Sequence, residues 1–177
     1  MDIRHCNSAR IPKYVLCCYN SILGVVPSCR EGTNHIRVDI MTRINIIPTQ
    51  ELADQHLVAE YREMFMVGSS LQRSLKSPNW EKNKKTWPEM FTLNRGHVKF
   101  FYNKGMYLHK RYEQLITEMK SRGMNPDPTR VFKRHQWPDD LYNDWTPTAP
   151  EQDIVRERIR ERIAIKPTWY RWTSPVT

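Results

Sequence analysis

Apolar residues return every three or four positions along three long segments of this chain, which is the period of an amphipathic helix. The first segment runs from Gln50 to about Phe65, and its apolar stripe is formed by Ala53, Leu57, Tyr61 and Met64. A neighbouring, more polar stripe carries His56, Ala59 and Glu63. Thr49 follows an irregular stretch that ends in Pro48, so we expect Thr49 to cap this helix.

The second segment, from about Tyr102 to Arg122, has the same period. Its apolar stripe is formed by Leu108, Tyr112, Leu115, Ile116 and Met119. Gly123 stands where a glycine commonly ends a helix, because glycine adopts the left-handed conformation without steric cost. The pattern therefore predicts a second helix that ends near Arg122.

The third segment runs from about Pro150 to Ile165, with Val155, Ile159 and Ile163 on its apolar side. Thr148 and Glu151 have the spacing of a capping box, and Pro150 suits the first turn of a helix. Pro167 cannot continue a helix. These features predict a third helix with well-defined ends.

The remaining chain carries turn signals rather than helical or strand periodicity. Residues 77–90 and 124–150 are rich in proline and polar residues, which predicts long loops. Trp137 and Trp145 indicate that the second loop packs against the body of the protein. Gly68 is expected to interrupt the helical pattern before a short continuation. The prediction is an all-α fold: a single compact domain of three main helices with long loops.

The first forty residues differ in composition from the rest. All four cysteines precede residue 41, and all six tryptophans follow it. A secretory signal needs an uninterrupted apolar core, which Tyr19, Asn20 and Ser21 break, and the cysteines lack the paired spacing of a metal site. We favour a leader of residues 1–40, translated upstream sequence or a segment removed later, that is disordered or absent from the active form. Residues 41–177 then form the folded domain.

The charge balance points to a polyanionic partner. The chain holds 28 Lys and Arg residues against 19 Asp and Glu residues, a formal net charge of +9 at pH 7. Its pI is about 9.5, which favours binding to nucleic acid or to an anionic membrane surface. A mean hydropathy of −0.72 and the lack of an apolar run near membrane-spanning length exclude a transmembrane segment.

Basic residues alternate through the third predicted helix and continue into an aromatic tail. They are Arg156, Arg158, Arg160, Arg162, Lys166 and Arg171, and the tail also holds Trp169, Tyr170 and Trp172. One interpretation is a solvated helix face on which Glu157 and Glu161 pair with the arginines. The other is a nucleic-acid surface, because arginine contacts phosphates and aromatic rings stack on bases. The aromatic residues favour nucleic acid, although Trp169 can also close the core.

Local motifs reveal no familiar catalytic machinery. There is no phosphate-binding loop, no nucleophile elbow and no dinucleotide fingerprint in the sequence. His56, His97 and His109 lack metal-ligand spacing, and we expect each to form hydrogen bonds or contact phosphate instead. Glu63 beside Arg62 is, on the pattern alone, more often a surface charge than a catalytic carboxylate.

Three blocks of residues carry a resemblance to a known family. They are "MTRIN…ELADQHL.AEYRE" in 41–63, "GHVKFFYNK" in 96–104 and "KPTWYRW" in 166–172. In this order they resemble the pyrimidine-dimer DNA glycosylases, the family of the bacteriophage-type endonuclease V. The resemblance covers essentially all of 41–177 and no part of 1–40. Family members begin at the methionine that Met41 matches.

The resemblance implies a DNA repair enzyme that excises cyclobutane pyrimidine dimers and then cleaves the strand as an apurinic-site lyase. In the family the initiator methionine is removed, and the amine of the next residue, here Thr42, is the nucleophile. An α-amine has a pKa of about 7.7–8.0, so part of it is neutral at pH 7. This amine would displace the base, form a Schiff base with the deoxyribose and permit β-elimination.

The same resemblance implies roles for further residues. Glu63 matches the family's essential carboxylate, which is expected to stabilise the sugar cation and move protons. Positions that match DNA-contacting residues, or residues close to the nucleophile, are Arg43, His56, Arg62, Arg158, Arg162, Lys166, Trp169 and Tyr170. The implied partner is double-stranded DNA with pyrimidine dimers, from which a base is extruded. We expect no metal or other cofactor, no membrane, a monomer, and a cytoplasmic location or another compartment that holds the DNA.

Several positions depart from the family pattern. Met66 replaces a family arginine, so one phosphate contact is missing; Lys166 and Trp172 replace an arginine and a tyrosine, and one extra residue precedes the second block. The leader matters more, because Thr42 has only an amide nitrogen while the leader is attached. An alternative is therefore a catalytically silent, basic helical DNA-binding protein. A metal-dependent nuclease is disfavoured because the sequence shows no acidic cluster.

Overall fold

The structure is a computed structural model that describes residues 44–93 and 95–175. The described residues form six α-helices and no strand. The helices are α1 (Asp54–Glu63), α2 (Phe65–Leu75), α3 (Trp80–Lys84), α4 (His97–Phe100), α5 (Gly105–Ser121) and α6 (Ala149–Ile165). Short 3-10 turns occupy Thr49–Glu51, Arg134–Gln136 and Asp139–Leu141. The all-α prediction is confirmed, whereas the predicted leader of residues 1–40 lies outside the described residues.

The first predicted helix begins later than expected. Thr49 lies in a 3-10 turn, and the N-cap of α1 is Ala53 rather than Thr49. The cause is Arg122, a buried guanidinium that donates hydrogen bonds to the carbonyls of Thr49, Gln50 and Leu52. These contacts hold the three carbonyls around one guanidinium while Leu52 is extended, and α1 starts at Asp54.

α2 follows α1 after a single residue, Met64, which keeps a right-handed helical conformation. The predicted interruption at Gly68 is wrong, because Gly68 lies inside α2. A Cβ at this position would come within 2.3 Å of the Gln136 side-chain oxygen and 2.8 Å of the Trp137 ring. Glycine is therefore required by the close approach of the loop, not by a break in the helix.

The ends of the other two predicted helices agree with the sequence signals. α5 starts at Gly105, three residues later than expected, and Gly123 has a φ of 72° after its last turn. At the start of α6, the Glu151 carboxylate accepts hydrogen bonds from the Thr148 backbone N–H and hydroxyl, both at 2.8 Å. The predicted glycine stop and capping interaction are thus both present. The loop of 77–90 contains one unpredicted short helix, α3.

The core lies mainly between α1, α2, α5 and the loops that cover them. The predicted α1 stripe is fully buried, and Tyr61 on α1 stacks on Tyr112 of α5 with ring centroids 5.6 Å apart. Trp137 is 3% exposed, and Trp145 packs against the core, as expected for a packed loop. In the described part of the chain, no helix has the length and apolar character needed to cross a bilayer.

Candidate active site

The segment of residues 44–47 is buried and held at every residue, although it has no regular secondary structure. The Ile44 N–H donates to Nε2 of His97 at 3.1 Å. The carbonyl of Ile46 accepts from the Gln152 amide at 3.2 Å, and the carbonyl of Ile47 accepts from Arg111 at 2.6 Å. These contacts come from α4, α5 and α6. The backbone just downstream of Thr42 is therefore fixed against the folded body.

Asn45 joins this segment to a buried ion pair. Glu60 on α1 is 0% exposed, and Arg111 on α5 donates two hydrogen bonds to its carboxylate, at 2.8 and 3.1 Å. The Asn45 amide donates to the same carboxylate at 3.0 Å, and its oxygen accepts from Arg158 of α6 at 2.7 Å. Burial works to lower the pKa of Arg111, but the Glu60 charge outweighs it and holds that pKa above its ordinary value.

This network places the segment over one face of α1. His56, Glu60 and Glu63 are four and three residues apart, so they share a helix face, with Glu60 one turn from each of the others. Asn45 is hydrogen-bonded to the middle residue of the three. Thr42 is three residues upstream of Asn45, a reach of about 10 Å for extended chain. The predicted site residues that share this face, His56 and Glu63, each lie one helical turn from Glu60, to which Asn45 is hydrogen-bonded.

The chain after α6 returns to the start of α1 and docks there through its backbone. The Gln55 side chain donates to the carbonyl of Trp169 at 2.7 Å and accepts from the N–H of Arg171 at 3.0 Å. The Asp54 N–H donates to the carbonyl of Arg171 at 2.8 Å. Residues 169–171 are thus held against the first turn of α1 by two hydrogen bonds with the Gln55 side chain and one between backbone groups.

The Asp54 side chain also holds the tail, at Thr173. Its carboxylate accepts hydrogen bonds from the hydroxyl and N–H of Thr173 and from Arg122, the hydroxyl and Arg122 contacts both at 2.8 Å. Partial burial works to raise the pKa of Asp54, but the hydrogen bonds from Arg122 and Thr173 outweigh it and hold that pKa below its ordinary value. Asp54 is therefore a charged clamp for the tail at neutral pH.

The docked tail brings two of the predicted site residues together. The Tyr170 ring stacks on the His56 imidazole, with centroids 4.6 Å apart and planes 18° from parallel. His56 is 7% exposed, whereas Trp169 is 44% exposed. Tyr170 thus closes one side of the α1 face, while its neighbour Trp169 presents a ring to solvent.

Glu63 and Arg62 occupy the last turn of α1. Glu63 is half-buried and Arg62 is exposed. The carbonyl of Arg62 accepts a hydrogen bond from Arg130 at 2.9 Å, and the Arg130 guanidinium stacks over Phe65 at 4.7 Å. Arg130, which sequence reasoning missed, therefore adds a second cation beside Arg62.

The alternating arginines of α6 divide between two faces, because residues two apart on a helix do not share one. Arg156 is paired with Glu51 at 2.7 Å and with Asp153, and Arg160 is paired with Glu157 at 2.7 Å. The interpretation as a solvated, paired face holds for these two. Three predicted site residues form a separate row, because they are spaced four residues apart along α6 and just past its end. They are Arg158, Arg162 and Lys166.

Thr42 and Arg43, the predicted nucleophile and one phosphate contact, lie outside the described residues. The other predicted site residues fall on α1, α6 and the tail. Hydrogen bonds to His97 and to His109, whose Nδ1 is 2.7 Å from the Tyr142 hydroxyl, match the expected role of these histidines. Across 44–93 and 95–175, no group of three or more His, Cys, Asp or Glu side chains is arranged to hold a metal ion.

Besides Arg130, the sequence did not reveal Asn45, Glu60 and Arg111. Glu60 follows His56 by four residues and precedes Glu63 by three, and this spacing is the one signal that could have placed it on the same face. Its partner Arg111 is 51 residues away along the chain. No local pattern predicts such a pairing.

Comparison with known protein families identifies the family of this chain. The model of the family described as pyrimidine dimer DNA glycosylase matches residues 41–131. The match begins at Met41, where the composition changes, and includes α1 to α5 with the buried Glu60–Arg111 pair. α6 and the tail lie beyond it. Since the match spans more than half of the chain, this protein belongs to the pyrimidine dimer DNA glycosylase family.

Proposed function

We propose that the domain removes a pyrimidine dimer from DNA and then cuts the strand, with the α-amine of Thr42 as its nucleophile. The amine nitrogen bonds to C1′ of the deoxyribose while the bond from C1′ to the base breaks; the released base takes up a proton and stays joined to the neighbouring pyrimidine through the cyclobutane ring. The sugar ring opens to an imine. Removal of a C2′ proton forms a C2′–C3′ double bond as the 3′ phosphate leaves, and water then releases the enzyme.

The single observation that carries this proposal is the anchoring of residues 44–47 over the face of α1. Asn45 is held between Glu60 and Arg158, and Glu60 lies one helical turn from both His56 and Glu63. A reactive terminus needs such fixed support, because effective positioning supplies a large part of the rate of a reaction between held groups.

Glu63 is the carboxylate proposed to act on the sugar. It is half-buried at the end of α1, where a negative charge would stabilise the cationic sugar as the base leaves. The same group can take the C2′ proton during elimination. Glu60, the other carboxylate on this face of α1, is already occupied by Arg111 and Asn45.

DNA binding is proposed for the basic and aromatic residues around this face. Arg43, Arg62 and the row along α6 would contact phosphates, while Trp169 and Tyr170 would stack at the lesion. This set comprises Arg43, His56, Arg62, Arg158, Arg162, Lys166, Trp169 and Tyr170. A dimer already weakens the local base stack, which lowers the cost of extruding a base.

The chemistry requires a free amine at Thr42. We therefore propose that residues 1–40 are a leader distinct from the domain of 41–177, and that the active form begins at Thr42. The 177-residue form would bind DNA without reacting, because the nitrogen of an internal residue is an amide. A basic DNA-binding protein is thus the second candidate function, favoured by the formal net charge of +9 and by the residues that precede Thr42.

Borohydride trapping on ultraviolet-irradiated duplex DNA tests the proposal. Borohydride reduces an imine to a stable amine, so a form that starts at Thr42 should give a covalent complex, and the 177-residue form should give none. Unirradiated duplex is the substrate control. A Thr42 form that cuts irradiated DNA without any trapped complex would contradict the amine mechanism.

Glu63→Gln tests the role of the carboxylate. We expect strand cutting to fall by roughly 10²- to 10⁴-fold, the range for loss of a general acid or base, while DNA binding is retained. Glu89→Gln is the matched control, because it removes one negative charge from an exposed loop position. Equal cutting rates for the two variants would count against Glu63.

A further inference from the structure

His97 is a buried histidine whose two ring nitrogens both have fixed partners. It is 1% exposed, and Phe91 and Phe101 pack edge-on against its ring at 5.5 and 5.2 Å between centroids. Nδ1 is 2.6 Å from the carbonyl of Thr92, and Nε2 is 3.1 Å from the backbone nitrogen of Ile44. The imidazole therefore connects the loop before α4 to the first described residue of the chain.

These partners determine the protonation state of the ring. A backbone N–H can only donate, so Nε2 must accept, and a carbonyl can only accept, so Nδ1 must carry the proton. The pKa of His97 is lowered to about 4. Burial is the main cause and the nearby charge of Arg158 adds to it, while the hydrogen bond to Thr92 acts in the opposite direction. The ring is thus neutral at physiological pH, with its lone pair directed at Ile44.

We propose that His97 is a positioning residue for the Thr42 amine, which it fixes by accepting a hydrogen bond from the Ile44 N–H. This inference rests on the proposed function. Ile44 is two residues from Thr42, a separation of at most about 7 Å between Cα atoms. The contact with His97 is therefore the described backbone hydrogen bond that lies nearest to the nucleophile along the chain.

The other anchors of the segment cannot replace this contact. Asn45 is held through its side chain, and the hydrogen bonds from Gln152 and Arg111 reach the carbonyls of Ile46 and Ile47. Without His97 the chain can pivot at Asn45, and the error in position grows toward Thr42. A misplacement near 1 Å can reduce a rate by about 10²-fold without any loss of binding.

Two substitutions separate this role from general packing. In His97→Gln the side-chain oxygen can reach the position of Nε2 and accept from Ile44. In His97→Asn the amide can reach the position of Nδ1 and donate to Thr92, but nothing accepts from Ile44. Both variants remove the aromatic ring from the same site, so they share most of the packing loss. Phe91→Leu is the packing control, because it loosens the same pocket and retains the imidazole.

The experiment measures the single-turnover rate of borohydride trapping on saturating abasic-site duplex, with every variant in the form that starts at Thr42. We expect His97→Asn to trap about 10²-fold more slowly than the unsubstituted form, with DNA affinity unchanged because His97 does not reach the surface. His97→Gln should recover most of that loss, and Phe91→Leu should trap faster than His97→Asn at equal or lower thermal stability.

The outcomes distinguish the two proposals. If the unsubstituted Thr42 form traps nothing, the proposed function fails and this inference falls with it. Positioning by His97 is overturned if that form traps but His97→Asn traps equally fast. It is also overturned if His97→Gln and His97→Asn lose the same trapping rate, in proportion to their loss of thermal stability. Nitrogen NMR of the unsubstituted protein gives a test that does not depend on a variant folding. A proton on Nε2 instead of Nδ1 at neutral pH would also overturn it.

Discussion

At the scale of single residues, burial sets the chemical state of several polar groups. Glu60 and Arg111 form a buried ion pair, and removal of one partner would leave an unpaired buried charge that costs about 3–5 kcal/mol. The buried imidazole of His97, in contrast, is neutral at physiological pH because burial lowers its pKa. Its state therefore links protein stability to pH.

We predict that the free energy of unfolding decreases as the pH falls from 6.5 to about 4. An unfolded histidine binds its proton near pH 6.5, whereas native His97 binds it near pH 4, so the unfolded state holds more protons in this window. The contribution is complete above pH 6.5 and disappears as the pH falls to about 4. Its size is roughly 3 kcal/mol for a shift of this extent.

Urea unfolding of the protein and of His97→Gln, measured across this range, checks the prediction. The free energy of unfolding of the variant should depend less on pH, since carboxylates titrate in both proteins and only one has the histidine. Identical pH profiles would show that His97 is not responsible.

At the scale of elements, the docking of the tail on α1 links the two ends of the domain. Gln55 pairs with the backbone on both sides of Tyr170, so this one amide side chain helps, together with Asp54, to keep Tyr170 stacked on His56. Glutamate at this position would keep the acceptor for Arg171 but oppose the carbonyl of Trp169 with a second oxygen.

Gln55→Glu should therefore weaken binding to dimer-containing duplex, by roughly tenfold if the loss of the tail contact is fully expressed. Fluorescence anisotropy gives the dissociation constant. Gln114→Glu is the charge-matched control, because Gln114 is exposed on α5 and away from the tail contacts. Equal dissociation constants for the two variants would mean that the added negative charge alone weakens binding and that the tail contact does not contribute.

The sequence predicts the elements well where their residues interact locally. The period of apolar residues located α1, α5 and α6, and the Thr148–Glu151 signal located the start of α6. The start of α1 was missed because Arg122, about 70 residues away, binds the carbonyls of that segment. Long-range polar contacts of this kind leave no periodic trace.

The candidate site likewise contains residues that the sequence identifies and residues that it does not. His56, Arg62 and Glu63 were identified through resemblance, and α1 carries all three. Asn45, Glu60 and Arg111 were missed, since Asn45 looks like any polar residue and its partners are 15 to 113 residues away. Thr42 stays a prediction, because it lies outside the described residues.

At the scale of the whole molecule, an excess of positive charge favours DNA, and each phosphate contact adds to the salt dependence of binding. Met66 is 44% exposed and one helical turn beyond Arg62, where α2 continues from α1. An arginine there would extend the basic surface of the proposed DNA face.

Met66→Arg should bind irradiated duplex more tightly at low salt. The plot of log K against log[salt] should be steeper by about 0.9, the value for one added phosphate contact. Met90→Arg is the matched control, because it places the same charge on a side chain that is 80% exposed in a loop. Equal slopes for the two variants would mean that position 66 does not face DNA.

The buried segment of residues 44–47 has a consequence for how the enzyme is switched on. Its described anchors all come from downstream parts of the chain, namely α1, α4, α5 and α6. If the leader is cut away, the scaffold need not refold to become competent. Under the proposed function, cleavage of the one peptide bond before Thr42 would be enough to convert a DNA-binding protein into a lyase.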